Sequence, residues 1–278
     1  MMPLRCRAPL RLALSMALAG AAGQAAAIVG GTSTTAFGQV DSGVQITGNW
    51  VLTATHVAYG VGSLYGNGYG SASVAAVYHF GEAGFPADDL TLLRLATAID
   101  APALALEGTV LAPDTLSAPI AVTIATGSNQ WPRGYGATWL QDVWPAFDAD
   151  GSGPQPAATT NWLITATATL GEPYVQPGDS GGGLFLGHVS DSSSTLLGIT
   201  SAAVTFDNGL HASAFVQLAS YRAWIDATMA ADPADHQQAL WVSSVPEPAS
   251  CALLLAGIAV LPALRKRAGH PTPARPAC

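Results

Sequence analysis

Residues 176–185, with the sequence QPGDSGGGLF, place Ser180 among glycines and directly after an aspartate. A serine hydroxyl is a weak nucleophile at its own pKa, and it becomes reactive when a base, most often a histidine, takes its proton. Glycine, serine, aspartate and proline are also the ordinary residues of surface turns, so this segment alone leaves both interpretations open. The chemistry depends on whether a histidine, and a group to orient it, stand elsewhere in the chain.

Such a histidine and such a carboxylate both occur next to apolar strand patterns. His56 directly follows the segment NWVLTAT, and Asp88 and Asp89 precede the segment LTLLRL. A buried aspartate that accepts the Nδ1–H of a histidine fixes the histidine tautomer and stabilises the imidazolium that forms during reaction. The residues therefore predict His56 as the general base for Ser180 and one of the two aspartates as its orienting group.

The segments WVLTATH, DLTLLRL and GDSGG, in this order, resemble the three catalytic blocks of the chymotrypsin-like (trypsin-like) serine peptidases. The order His, Asp, Ser is that family's order and differs from the order in other serine hydrolases. The resemblance selects Asp89 over Asp88 and implies hydrolysis of peptide bonds through an acyl-enzyme on Ser180. It also implies that the N–H groups of Gly178 and Ser180 form an oxyanion hole, which donates to the developing negative oxygen.

The resemblance covers most of residues 28–231 and implies an all-β fold of two antiparallel six-stranded β-barrels with a C-terminal helix. The composition agrees, because many short strand patterns follow one another without amphipathic helices between them. The exception is LASYRAWIDATMAA, whose apolar residues recur at three- and four-residue steps. We predict an N-terminal barrel over 28–112, a C-terminal barrel plus helix over 113–231, and a polar linker over 232–244.

The residues Ile28, Val29, Gly30 and Gly31 resemble the mature N-terminus of the same peptidases. There the freed α-amine pairs with the aspartate before the nucleophile, which is Asp179 in this chain. Signal peptidase cutting before Ile28 would create that amine directly, so we expect export itself to activate the enzyme. The segment from Ile28 to the catalytic histidine is shorter than the family pattern, which indicates that the first barrel has lost a hairpin or loop.

The specificity pocket that the resemblance implies contains no carboxylate. The position six residues before the nucleophile, an aspartate in the trypsin branch, is Tyr174. The pocket strand of the family corresponds to the segment that contains Ser201 and Ala203, and Ser213 is implied for the same pocket. We therefore expect cleavage after an apolar or small side chain rather than after Arg or Lys.

The N-terminal end differs in composition from the body. Residues 1–27 combine three arginines, a short apolar run and an Ala-x-Ala site at 25–27, which is typical of a secretory signal peptide. A membrane anchor is the alternative, although the apolar run is short for a membrane span. The expected processing enzyme is signal peptidase.

The C-terminal end resembles a PEP-CTERM sorting signal. Residues 245–278 contain VPEP, an apolar segment over 249–264 and the basic cluster RKR. The resemblance implies transient anchoring in the inner membrane and processing by an exosortase, which would leave the protein in the periplasm, on the cell surface or in the extracellular matrix of a Gram-negative bacterium. A permanent C-terminal anchor is the alternative.

The body is strongly acidic and free of cysteine. Residues 28–244 contain three arginines and no lysine against seventeen acidic residues. Such a surface repels nucleic acid and anionic lipid, which excludes both as partners of the body. The cysteines, Cys6, Cys251 and Cys278, all lie in the end segments. The exported body therefore has neither disulfides nor thiolate metal sites.

No cofactor and no catalytic metal are expected. The segment DADGSG at 148–153 resembles the first half of a calcium-binding loop, but Thr159 occupies the twelfth position, where a bidentate glutamate is needed. We interpret this segment as a turn, with weak calcium binding as the alternative. Two other functions stay open beside a peptidase with a polypeptide substrate: a catalytically inactive surface or matrix-binding protein on the same fold, and an esterase that uses the same triad.

Overall fold

A computed structural model places the strand patterns of the sequence in two sheets, and it describes residues 28–81, 85, 88–128, 131–145, 161–166 and 172–244. The strands, in chain order, are β1 (Thr32–Ser33), β2 (Val44–Gln45), β3 (Trp50–Thr53), β4 (Leu64–Asn67), β5 (Gly70–His79), β6 (Thr91–Leu95), β7 (Ala105–Glu107), β8 (Ile120–Ser128), β9 (Trp131–Pro145), β10 (Asn161–Thr165), β11 (Gly183–Leu186), β12 (Leu196–Thr205), β13 (His211–Gln217) and β14 (Leu240–Val242). Two 3₁₀ turns (Thr55–Val57 and Leu218–Tyr221) and the helix α1 (Arg222–Ala231) complete the described part of the chain.

The second sheet forms a closed barrel of six strands. Its order is β11-β8-β9-β10-β13-β12, and pairing between β11 and β12 closes the ring. Three short strands extend it: β1 pairs with β9, β7 pairs with β12, and β14 pairs with β7. The last two pairings are parallel, whereas the pairings within the barrel are antiparallel.

The first sheet is an open half-barrel. It contains five strands in the order β2-β3-β6-β5-β4. The all-β class, the closed second barrel and the C-terminal helix confirm the predicted fold, but the prediction of six strands for the first barrel was wrong. The short segment between Ile28 and His56 supplies only the two-residue strand β2 to this sheet ahead of β3, so the chain there is too short to close a ring.

Two strands from the first part of the chain join the second sheet. Strands β1 and β7, both from the predicted N-terminal barrel, hydrogen bond to strands of the second sheet. The compact unit of the chain extends to Val242 and includes most of the polar segment over 232–244, for which a linker is predicted. A second unit begins at Ser243, and the structure describes only its first two residues.

The sequence of β3 does not alternate between apolar and polar residues, because this strand is buried on both faces. Val51 packs inside the half-barrel with Tyr65 and Leu93. Trp50 and Leu52 face the other way, and they belong to a larger cluster between the sheets. That cluster draws on both sheets and on α1, with members that include Leu92, Leu106, Phe185, Val216, Ile225 and Met229.

Neither predicted terminal segment can be compared with the structure. The signal peptide (1–27), the sorting tail (245–278) and the calcium-like turn (148–153) lie outside the described residues. Within the described ranges, no helix combines the length and the apolar character that a membrane crossing requires.

Candidate active site

His56 lies in the 3₁₀ turn Thr55–Val57, immediately after β3. The turn ends at Ala58, whose φ of 57° is in the left-handed region that residues with a side chain rarely adopt. The His56 side chain is 35 % exposed, so one edge of its ring faces solvent. The turn therefore presents an imidazole at the surface end of a strand that is itself fully buried.

Asp89 lies two residues before β6 and is completely buried. Its Oδ2 is 2.7 Å from His56 Nδ1, and its Oδ1 accepts the His56 backbone N–H at 3.1 Å. The hydroxyl of Ser201, on β12, donates to Oδ2 at 2.6 Å. Three hydrogen-bond donors thus compensate for the removal of this carboxylate from water.

Ser180 precedes β11, and its Oγ lies 2.7 Å from His56 Nε2. Because the Asp89 carboxylate holds a proton on Nδ1, Nε2 is the nitrogen that accepts the serine proton. The structure therefore brings His56, Asp89 and Ser180 together in one hydrogen-bonded chain, as the sequence predicted. The histidine and the aspartate come from the half-barrel, and the serine comes from the closed barrel.

The loop around Ser180 has a conformation that requires glycine at two positions. Gly178 has φ of 105° and Gly181 has φ of 84°, both in the region that favours glycine. Gly181 also lies so close to the half-barrel that a Cβ on it would be 2.2 Å from the carbonyl oxygen of Ser42. The Gly181 N–H donates to Thr200 on β12 at 2.9 Å. The loop is thus held between the two sheets.

The predicted oxyanion donors are free in the described part of the chain. Neither the Gly178 N–H nor the Ser180 N–H donates to another described backbone group, whereas the intervening Asp179 N–H donates to Gln176 at 3.0 Å. Two unpaired N–H groups beside a nucleophile can bind a negative oxygen.

Asp179, directly before Ser180, is 5 % exposed. It accepts the Gln176 N–H at 2.9 Å and the backbone N–H of Ile28. Burial outweighs these hydrogen bonds and raises the pKa of Asp179 to about 6. Ile28 is itself buried, and Val29 forms two backbone hydrogen bonds of 3.1 Å with Tyr174. The predicted pair of Ile28 and Asp179 is therefore in contact.

The four residues predicted for the specificity pocket have different surroundings. The ring of Tyr174 stacks on His211 at 4.5 Å, and the fully buried Ser213 accepts the Val175 N–H at 3.0 Å. Ala203 is exposed. The Ser201 hydroxyl donates to Asp89, so this side chain contacts the part of the chain that enters β6.

Three contacts at or beside the site were not predicted. Besides the bond from Ser201 to Asp89, the ring of Phe85 lies edge-on to His56 at 5.5 Å. Asp88, which the family resemblance did not select as the catalytic aspartate, accepts a hydrogen bond from the Tyr221 hydroxyl at 2.7 Å. No pattern in the sequence pairs these residues, since each contact joins separate loops or strands.

Among the other histidines of the described chain, the ring of His211 stacks on Tyr174. His79 contacts Thr91, and His188 contacts the Thr138 carbonyl. No group of three or more His, Cys, Asp or Glu side chains in the described ranges is arranged to hold a metal ion. The arrangement at Ser180 is suited to acyl transfer by a serine nucleophile with a histidine base.

The chain is similar to known proteins in sequence pattern and in fold. A family model described as Trypsin matches residues 21–225. Among solved structures, the chain is similar to human heparin binding protein, with 16 % identity and a TM-score of 0.52 over 74 % of this chain and 98 % of that chain. At that identity the likeness concerns the fold. No curated protein matches the chain.

Proposed function

The chain belongs to the trypsin family of serine peptidases, and we propose that it is an active, exported endopeptidase whose catalytic residues are His56, Asp89 and Ser180. The observation that carries this proposal is the continuous hydrogen-bonded chain from Asp89 through His56 to Ser180, with 2.7 Å at each step. A fold alone does not establish activity, but this chain of contacts is what a serine needs in order to become a nucleophile.

In the proposed reaction, the Ser180 Oγ attacks the carbonyl carbon of the scissile peptide bond while His56 Nε2 takes its proton. The negative oxygen of the tetrahedral intermediate accepts hydrogen bonds from the N–H groups of Gly178 and Ser180. The C–N bond then breaks, and His56 gives its proton to the leaving amine. Water, deprotonated by the same imidazole, attacks the acyl-enzyme and releases the acid and free Ser180.

Asp89 has a supporting role in both half-reactions. It keeps Nδ1 protonated, so that Nε2 faces Ser180 as an acceptor, and its charge stabilises the imidazolium formed during each proton transfer. The hydrogen bond from Ser201 holds the carboxylate in place for this purpose. Ser201 is therefore a positioning residue in the proposed mechanism.

Labelling by a fluorophosphonate tests the proposal, because this reagent phosphonylates only an activated serine hydroxyl. We expect the secreted protein to be labelled at Ser180 and Ser180→Ala to be unlabelled. Absence of labelling in the folded wild-type protein would favour the inactive, matrix-binding alternative. An esterase would be labelled as well, so peptide and ester substrates must be compared after labelling succeeds.

The preference for the cleaved residue depends on the proposed specificity pocket. Its residues Tyr174, Ala203 and Ser213 carry no charge. We propose cleavage after small or apolar side chains, because a buried cationic side chain without a partner carries a large desolvation cost. A fluorogenic series that ends in Ala, Leu, Phe and Arg measures this preference. Faster turnover of the Arg substrate than of the other three would contradict it.

Export and maturation are part of the same proposal. Signal peptidase would expose the Ile28 amine next to Asp179, and an exosortase would process the tail over 245–278. Edman sequencing of the secreted protein should begin at Ile28. Mass spectrometry of the mature chain distinguishes removal of the tail from a permanent anchor, because an anchored protein retains residues 249–278.

A further inference from the structure

The segment after α1 connects the two sheets. We propose that residues Asp232–Val242, here called the clasp, hold the half-barrel and the closed barrel in the alignment that the triad requires, with Asp232 as the main positioning residue. The effect on catalysis rests on the proposed function, whereas the connection between the sheets does not.

Asp232 binds the half-barrel through a buried carboxylate, which is 3 % exposed. Its Oδ2 lies 2.7 Å from Nε of Arg94 on β6, and the hydroxyl of Tyr78 on β5 donates to the same oxygen at 2.8 Å. Its Oδ1 accepts the Ala234 N–H at 2.8 Å. Both carboxylate oxygens therefore have partners, and two of the three come from the first sheet.

The strands that the clasp contacts are those that deliver the catalytic residues. Strand β6 follows Asp89, and Arg94 lies near its far end. Strand β3 leads to His56, and Asn49, just before it, exchanges two long hydrogen bonds of 3.4 Å with Gln237 of the clasp. The clasp thus fixes the ends of β3 and β6 opposite to the ends that carry the triad.

The other end of the clasp binds the second sheet and its helix. The indole N–H of Trp241 donates to Asp226 on α1 at 2.7 Å, and the guanidinium of Arg222 lies over the same indole at 5.4 Å. Strand β14 pairs in parallel with β7 over three residues, and the Gly108 N–H donates to the Val242 carbonyl at 2.7 Å. Because β7 pairs with β12, the clasp extends from the half-barrel to the sheet that carries Ser201.

Such a connection matters because the triad spans the sheets and no covalent cross-link joins them. Residues 28–244 contain no cysteine, so no disulfide restricts the relative motion of the barrels. A misplacement of reacting groups by about 1 Å can lower a rate by about 10²-fold. The ion pair of Asp232 with Arg94 supplies a contact to the first sheet where a cross-link is absent.

The substitution Asp232→Asn in the secreted protein tests the clasp. Asparagine has nearly the same shape but removes the charge that faces Arg94. We expect the rate of fluorophosphonate labelling and kcat to fall about tenfold at a temperature where circular dichroism shows a folded protein, and the Tm to fall by about 5–10 °C. The matched control is Asp100→Asn, since Asp100 is exposed and lies outside the clasp.

A milder variant keeps the test decisive if Asp232→Asn does not fold. Tyr78→Phe removes one donor to the Asp232 carboxylate and leaves Arg94 in place, so we expect a smaller fall in labelling rate, about threefold. A chain that ends at Ser244 should match wild type, because it retains the whole clasp. Labelling within twofold of wild type in a folded clasp variant would overturn the positioning role.

Hydrogen exchange tests the connection without reference to activity. In Asp232→Asn, or in Tyr78→Phe if only that variant folds, the Gly108 amide, which donates to Val242, should exchange at least tenfold faster than in wild type. The Gly187 amide, which donates to Ala121 within the closed barrel at 2.7 Å, should not change. Equal protection of Gly108 in wild type and variant would overturn the clasp. A wild-type protein that shows this protection but is never labelled would instead contradict the proposed function.

Discussion

His56 and Ser180 are 124 residues apart in the chain and belong to different sheets, yet His56 Nε2 lies 2.7 Å from Ser180 Oγ. The Asp89 carboxylate bridges the sheets in the same way, because it binds His56 on one side and Ser201 of β12 on the other. The proposed catalytic residues therefore lie at the interface between the two sheets. Their activity depends on the contacts that fix the relative position of the sheets.

The first prediction separates two substitutions around the buried carboxylate. Asp89→Asn should lower kcat by about 10⁴-fold, because the amide stabilises the wrong histidine tautomer. Ser201→Ala should lower kcat far less, by about ten- to a hundredfold, because it removes one hydrogen bond to a charged group, worth about 1.5–3 kcal/mol, and leaves two donors. Steady-state kinetics on a peptide substrate measure both values.

The pH profile distinguishes this role of Ser201 from a general loss of stability. If Ser201 acts through Asp89, the alanine variant should change kcat and its pH profile while KM stays near the wild-type value. A change confined to KM would place Ser201 in substrate binding, the role that the sequence predicted for it, and would contradict the mechanism.

The second prediction concerns the close approach of the nucleophile loop to the half-barrel. Gly181→Ala should abolish activity and destabilise the protein by several kcal/mol, because the new Cβ would lie 2.2 Å from the Ser42 carbonyl oxygen. Gly209→Ala is the matched control, since Gly209 has a similar φ of 79° but a Cβ added there would meet no atom within 4 Å. Its cost should be about 1 kcal/mol, from backbone strain alone.

Chemical denaturation of the two glycine variants measures the difference. Equal destabilisation would show that backbone conformation, rather than the contact with Ser42, makes glycine necessary at residue 181. Retention of wild-type activity by Gly181→Ala would contradict the observed proximity of the loop and the half-barrel.

The sequence predicted the fold class and the positions of the three chemical groups because each sits next to a strong local pattern. His56 follows a buried strand, Asp89 precedes one, and Ser180 lies in a glycine-rich segment. Their meeting in one hydrogen-bonded chain is a tertiary result. The residues indicated His56 as the base for Ser180, and the family resemblance selected Asp89 over Asp88.

The features that the sequence did not predict are those that depend on partners far away in the chain. The segment over 232–242 is polar and begins with Asp232 and Pro233, which is typical of a linker. Its role depends on Arg94 and Tyr78, more than a hundred residues earlier, and no local pattern indicates that pairing. The open half-barrel was not predicted for a similar reason. The short segment between Ile28 and His56 indicates that a hairpin or loop is absent, but it does not show which strand of the barrel is missing.

The third prediction concerns the charge of the surface. The three arginines of residues 28–244 all have internal partners: Arg94 with Asp232, Arg133 with the Val40 carbonyl, and Arg222 with Asp226 and Trp241. The acidic residues are therefore little compensated, and cationic peptides should be attracted. For two substrates with the same cleaved residue, lysines several positions away should raise kcat/KM about tenfold at low salt. The advantage should vanish in about 0.5 M NaCl, and an advantage that persists would indicate direct contacts instead.

The fourth prediction concerns the junction of Ile28 and Asp179. While a residue precedes Ile28, its nitrogen is an uncharged amide, and burial raises the pKa of Asp179 to about 6 in the folded protein. The usual pKa of an unfolded aspartate is about 3.9. The folded protein therefore binds the proton more tightly, and this contribution to stability is present below about pH 4 and is lost as the pH rises through about 6.

Two forms of the protein test this linkage: one that begins at Ile28 and one that keeps a single alanine before it. The extended form should lose about 3 kcal/mol of unfolding free energy between about pH 4 and pH 7.5 relative to the mature form. In the mature form the freed α-amine is a positive partner that favours the ionised carboxylate, so this loss should be absent. Asp179→Asn in the extended form is the control, because it should remove the pH dependence. Urea denaturation across this range gives the free energies, and parallel curves for the two forms would show that the Ile28 amine does not pair with Asp179.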